Sequence, residues 1–187
     1  ELEHFCARYP HVRIRLLNYS APQAVKALEN NIIDFAIVST PVLVHKHMHQ
    51  EKLVSYDEIL LGGTKYKQFA QQVHYLEDIS EMPLIGLCEG SSTHTHYSRF
   101  FMEHDLPFEP DMEAAMTDQV LPMITHNLGI GFYPKSLALE AIEKELVFPI
   151  ELTEPLPNRD VVVITNNHTP INSAARRFLE FLLENRK

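Results

Sequence analysis

The feature that most constrains this chain is the alternation of short apolar runs with helix-patterned segments. "IIDFAIV", "PLIGL", "IGFY" and "DVVVIT" are each too short for a stable helix and nearly free of polar residues. Such runs suit strands buried on both faces. Between them lie segments with apolar residues at i, i+3, i+4 and i+7, the spacing of amphipathic helices. This alternation predicts an α/β fold with mainly parallel strands flanked by helices.

The elements follow in order. Leu2 to Tyr9 reads as a helix, with no visible cap before it, so the chain reads as a piece that begins inside a helix. Cys6 shares the stripe of Leu2, Phe5 and Tyr9 and is expected in the core. "VRIRLLNY" alternates Val12, Ile14 and Leu16 against Arg13 and Arg15, which predicts a strand with one wet face. Ser20 and Gln23 have capping-box spacing ahead of a helix that stops at Asn30 and Asn31. Extended stretches end at Gly62 and Gly63, and a weak helix falls within Tyr66 to Met82. The next helix, in "SSTHTHYSRFFMEHD", puts Tyr97, Phe100, Phe101 and His104 inward. "DMEAAM" is a short strand, and Thr117 is expected to cap a helix that contains Pro122. Lys135 to Lys144 is a helix, "LVFPIEL" an edge or crossover strand because of its proline, and Thr169 with Pro170 opens the last helix.

Composition excludes several classes. The chain has 16 basic and 25 acidic side chains, a formal net charge of −9, and no basic cluster beyond Arg13 with Arg15 and Arg176 with Arg177. By itself it is not expected to grip DNA, which needs clustered cations on the phosphates. No apolar run reaches the ~20 residues of a membrane span, and the N-terminus lacks the basic-then-apolar order of a signal peptide. Two cysteines, Cys6 and Cys88, without a secretion signal argue for a reducing, cytoplasmic compartment.

Several segments carry residues that could form a site. Gly129 and Gly131 in "THNLGIGFYP" follow a helix and open a strand, the reverse of a dinucleotide fingerprint, and Pro134 stands where a third glycine is needed. Gly129 reads instead as the left-handed residue past a helix end, and Gly131 as a place of close backbone approach. His45, His47 and His49 in "HKHMH", and His94 and His96 in "HTH", alternate as metal ligands can, yet no cysteine or carboxylate completes a set, so no metal is expected. No nucleophile elbow or catalytic pair is visible, so no enzyme and no cofactor is expected. The best polar cluster is "EGSSTHT", between a buried strand and a helix, where α/β proteins bind ligands. Ser91, Ser92 and Thr93 supply hydroxyls, and the helix start supplies free N–H groups. "STP", from Ser39, holds the matching place after "IIDFAIV". These loops either cap and turn only, or hold a small anionic ligand.

The order of motifs resembles the effector-binding domain of LysR-type transcriptional regulators. Phe5, Tyr9, Pro10, Val12, Leu28, Ile33, Asp34, Ala36 and Ile37 match its opening. "LEDISEMPLIGL" is similar to its next segment, and "THNLGIGFYP" to its glycine signature, with Asn127 where Gly is commonest. The resemblance implies a two-lobed fold of the type II periplasmic-binding-protein kind with a ligand cleft. Lobe I would be residues 1–63 and 155–187, and lobe II residues 64–154. It implies ligand contacts at Ser39, Thr40, Tyr56, Ser91, Ser92 and Thr93, with Thr117, Tyr133 and Pro134 as further candidates. It also implies a homodimer, a tetramer in the full-length protein, with apolar stripes on the first helix and on Ala21 to Asn30 as surfaces. DNA would be reached only through a winged helix-turn-helix outside this chain, and there would be no membrane partner. In the family's peroxide-sensing branch a reactive cysteine stands where this chain has Ser92, so that mechanism is not expected. The alternative with the same fold is a transporter's solute-binding protein.

Overall fold

The computed structural model describes residues 2–184; Glu1 and residues 185–187, the ends of the expected lobe I, lie outside the described residues. The chain forms two compact units, Glu1–Ser55 with Asp160–Lys187, and Tyr56–Arg159. The divisions thus fall at 55/56 and 159/160, not at the expected 63/64 and 154/155. The strand from Glu58 to Gly63 explains the first shift, because both of its neighbours in the sheet belong to the second unit.

The first unit contains α1 (Leu2–Arg8), α2 (Ala21–Glu29), β1 (Ala36–Ser39), β2 (Met48–Tyr56), β9 (Arg159–Asn166) and α7 (Ser173–Glu184). Its sheet has the order β1-β9-β2, and β1 runs antiparallel to β9 with Ala36 opposite Ile164. α2 starts where its sequence predicts: the Ser20 N–H donates to Gln23 Oε1 at 3.0 Å. It ends at Asn30, and Asn31 takes the left-handed conformation at φ 55°. Ala24, Val25 and Leu28 pack on Ala36, Val38, Met48, Val162 and Ile164. The apolar stripe of α2 is therefore consumed by its own core and is no free surface. Phe5 is fully buried against the rings of Tyr9 and Phe178, at 4.8 and 4.6 Å.

Several expectations fail in this unit. Cys6 is exposed, because a seven-residue helix turns only Phe5 into the core. "VRIRLLNY" forms no strand: no ladder partner reaches it among the described residues, and Leu16 is 75% exposed. Ile37, expected inside, is 46% exposed, since β1 is an edge strand with one covered face. α7 begins at Ser173, not at Thr169 with Pro170, because Asn172 Oδ1 accepts the Ala175 N–H at 2.8 Å.

The second unit contains β3 (Glu58–Gly63), β4 (Val73–His74), α3 (Leu76–Ile79), β5 (Leu84–Leu87), α4 (Ser92–Met102), β6 (Met112–Ala114), α5 (Thr117–Thr125), β7 (Ile130–Pro134), α6 (Lys135–Glu143) and β8 (Val147–Leu152). Its six strands take the order β4-β8-β3-β7-β5-β6. β5 is parallel to β6 and β7, and β4 to β8, whereas β3 is antiparallel to β7 and β8. The sheet is mixed rather than mainly parallel. Alternation along the strands feeds two cores. Leu60, Ile130 and Phe132 join Tyr97, Phe100 and Phe101, while Leu61, Ile85 and Tyr133 join Val120, Ile124 and Val147.

Pro149 sits in an interior strand, against the expectation of an edge. β4 is only two residues long and pairs at Glu151 and Leu152, so no neighbour on that side needs an N–H from Pro149. His104 lies beyond the end of α4 and is exposed. Thr117 is the first residue inside α5, not its cap; Gln119 Oε1 accepts from the N–H groups of Ala115 and Met116 instead. After α5 the left-handed residue is Asn127, at φ 60°, and not Gly129. Gly129 is needed for a different reason: a Cβ there would stand 2.4 Å from the Pro83 carbonyl oxygen.

Candidate functional site

The carboxyl end of β5 opens into the loop that precedes α4. Ser91 caps this helix, its Oγ accepting the His94 N–H at 3.1 Å. Its hydroxyl is thus engaged in the turn, while Ser92 and Thr93 stand on the first turn, half-buried. Thr93 faces an ion pair buried in the second unit. Arg159 Nη1 donates to Glu58 Oε1 at 3.0 Å and to Thr93 Oγ1 at 3.1 Å. The Tyr97 hydroxyl donates to the other oxygen, Glu58 Oε2, and the Arg159 guanidinium lies 5.9 Å from the centre of the Tyr56 ring. Both charged side chains are only 3% exposed.

The electrostatics follow from this burial. The Tyr97 phenol is pushed well above its ordinary range by burial and by the adjacent Glu58 carboxylate, so it remains a donor. His96, one residue back on α4, is lowered to about 4 by burial and by the positive field of Arg159, and so is neutral near pH 7. A cavity of about 10 Å³, room for one water molecule, lies beside this group. Glu58, Thr93, Thr117 and Pro134 line it, with Phe108 and Phe132 as its apolar walls.

The structure brings together some of the residues read from the sequence. Thr93, Thr117 and Pro134 share the cavity, and Tyr56 lies at the ring contact to Arg159. Tyr133 does not join them: it is buried in the core with Val120 and Ala138, where burial raises its phenol. Ser39 and Thr40 belong to the first unit. Thr40 Oγ1 accepts the Asp160 N–H at 3.0 Å, and Ser39 ends β1 opposite Val161. Asp160 is held below its usual range by Lys52, 2.8 Å away, and by the Ser55 hydroxyl at 2.6 Å.

Glu58 and Arg159 were missed in the sequence. Their signal was a charged residue at the head of an apolar strand, in "DEILLGG" and "NRDVVVIT". Nothing local pairs two residues 101 positions apart. The histidine run also takes an unforeseen form. His47 stacks between His45 and His168 at 5.7 and 4.7 Å, with rings nearly parallel. Among the described residues no group of three His, Cys, Asp or Glu side chains is placed to hold a metal, and no helix is long and apolar enough to cross a membrane.

Comparison with known proteins gives this geometry its context. The family model described as LysR substrate binding domain matches residues 2–187. The HTH-type transcriptional regulator YofA of Bacillus velezensis is 20% identical over 178 residues, which cover 95% of this chain and 59% of that protein. The chain thus spans less than two thirds of the length of such relatives. The regulatory domain of CcmR from Synechocystis PCC6803, solved in complex with 2-PG, superposes with a TM-score of 0.87 at 16% identity, covering 100% of this chain and 89% of that one. The effector-binding domain of QuiR in complex with shikimate gives 0.83 at 16% identity, covering 99% and 88%. These likenesses establish the two-lobed α/β fold of the type II periplasmic-binding-protein kind. With its family model matched across the described residues, the chain belongs to the LysR substrate binding domains, regulatory modules of transcription regulators and not enzymes.

Proposed function

We propose that this chain senses a small-molecule effector at the β5–α4 corner of its second unit, and that occupancy changes how the full-length regulator engages DNA. The observation that carries the reading is the buried Glu58–Arg159 pair bonded to Thr93 beside a cavity that Thr117 and Pro134 also line. Buried charges are costly unless a site uses them or satisfies them fully, and this group stands at a strand's carboxyl end, where open α/β sheets bind ligands. The 2-PG and shikimate complexes of CcmR and QuiR support a small polar effector. Ser92 and Thr93 are the proposed contacts from α4, with Thr117, Pro134 and Tyr56 around them. Ser39 and Thr40 stand as separate candidates in the first unit. The effector is a small anion carrying hydrogen-bonding groups. The full-length protein acts in the cytoplasm as a homodimer or tetramer, with DNA bound by a helix-turn-helix outside residues 1–187. Effector binding shifts its states only by differential affinity for them.

Thermal shift with small carboxylates and hydroxy acids, 2-PG and shikimate among them, tests this reading. A ligand at 100 times its dissociation constant adds about 2.7 kcal/mol. A compound that stabilises the wild type should lose its effect in Ser92→Trp and Thr93→Trp, each read against its own ligand-free melting. A compound that stabilises both variants as well as the wild type places the site elsewhere.

A further inference from the structure

Arg159 is the cation nearest the proposed site, and its charge is already answered. Glu58 Oε1 takes its Nη1 at 3.0 Å, both side chains are 3% exposed, and Tyr97 donates to Glu58 Oε2. The charged groups around this corner include Glu58 and Arg159, with Arg99 acting from α4 on His96 and Asp118, beside Thr117, acting on Tyr133. The ion pair itself sums to zero. Of the two, Glu58 is the one that lines the cavity, together with the Thr93 and Thr117 side chains. Glu58 thus puts a carboxylate on the wall of that space, inside a protein where screening is weak.

Resting on the effector site proposed above, we infer that Glu58 sets its charge selectivity: the corner receives a hydroxyl or amine donor of the ligand and excludes the ligand's anionic group. Glu58 and Thr93 accept from the donor, while the apolar walls of Phe108 and Phe132 cover its carbon frame. An anionic effector therefore holds its charge away from Glu58 and turns a hydroxyl or amine inward. Simple acids that lack such a donor are discriminated against even where their size fits.

Fragment mapping tests this without knowledge of the effector. Crystals and ¹⁵N-labelled samples of the wild type are titrated with methanol and with formate, the latter at constant ionic strength. Methanol is expected at Glu58 and Thr93, with saturable shifts of the Thr93 and Thr117 amides, and formate is expected to give neither. In Glu58→Gln, which keeps the shape and removes the charge, formate should gain at least about tenfold in affinity, since like-charge contacts cost more than that. Formate bound at the corner of the wild type, methanol absent from it, or a folded Glu58→Gln variant without the gain each overturns the inference. If Glu58→Gln does not fold, the wild-type pair of probes decides alone. A failed tryptophan test overturns the effector site itself and leaves these fragment results readable on their own.

Discussion

Arg159 shows how much one buried contact can weigh in this chain. Its pair with Glu58 is solvent-excluded on both sides, so removing one partner strands a charge. Arg159→Met should cost about 3–5 kcal/mol in urea unfolding, and the double variant with Glu58→Leu should recover most of it. A single variant within 1 kcal/mol of the wild type, a loss below the ~3 kcal/mol expected of a stranded buried charge, would show the pair to be solvated. His96 makes a prediction in pH. Its folded value, about 4, lies below the ordinary 6.5, so the unfolded chain takes up the proton first. Its contribution is constant above 6.5 and is lost as pH falls from 6.5 towards 4. The stability difference between wild type and His96→Gln should therefore narrow across that window, and a parallel pair of pH curves counts against it. Glu58 and Arg159 did not declare themselves in the sequence, and His96 stood out only for its spacing from His94, because their partners are distant along the chain and only the fold introduces them. Asn127 and Gly129 make the same point. The sequence marks a helix end there, but it is Asn127 that turns left-handed, while Gly129 is needed because the Pro83 carbonyl leaves no room for a Cβ.

At the scale of elements, what was legible is what local chemistry decides. α2 follows from Ser20, Gln23 and Asn30, and α4 from Ser91 with the inward Tyr97, Phe100 and Phe101. β5 follows from an apolar run whose four residues are all buried. What failed needed a neighbour. "VRIRLLNY" has the alternation of a strand, but alternation does not supply hydrogen bonds, and among the described residues β1 pairs with β9 alone. Pro149 argued for an edge, yet a two-residue β4 leaves an interior strand locally free. The start of α5 differs from the sequence expectation because Gln119, and not Thr117, folds back onto two N–H groups. Gln119→Ala should therefore destabilise the protein by about 0.5–1.5 kcal/mol, the net worth of such bonds, with Thr117→Val costing less. Chemical denaturation of the two variants compares them, and the reverse order would return the cap to Thr117.

The whole molecule divides unevenly. The first unit is assembled from two distant stretches of chain, whereas the second is one unbroken stretch, Tyr56–Arg159. That stretch carries a six-stranded sheet with a separate apolar core on each face. It also holds both partners of the buried ion pair, and with Thr93, Thr117 and Pro134 it holds the whole of the cavity. A domain of roughly 100 residues buries enough surface to fold alone, and here no strand of the larger sheet is borrowed from elsewhere. A chain cut to residues 56–159 should therefore fold cooperatively, with a single urea transition and dispersed amide shifts. Its methanol and formate responses should match those of the full chain, because Glu58, Arg159, Thr93 and Tyr97 all lie within it. A disordered spectrum would mean that the first unit supplies stability the second lacks. A folded fragment that has lost the methanol response would mean that the corner is shaped from outside its own sheet.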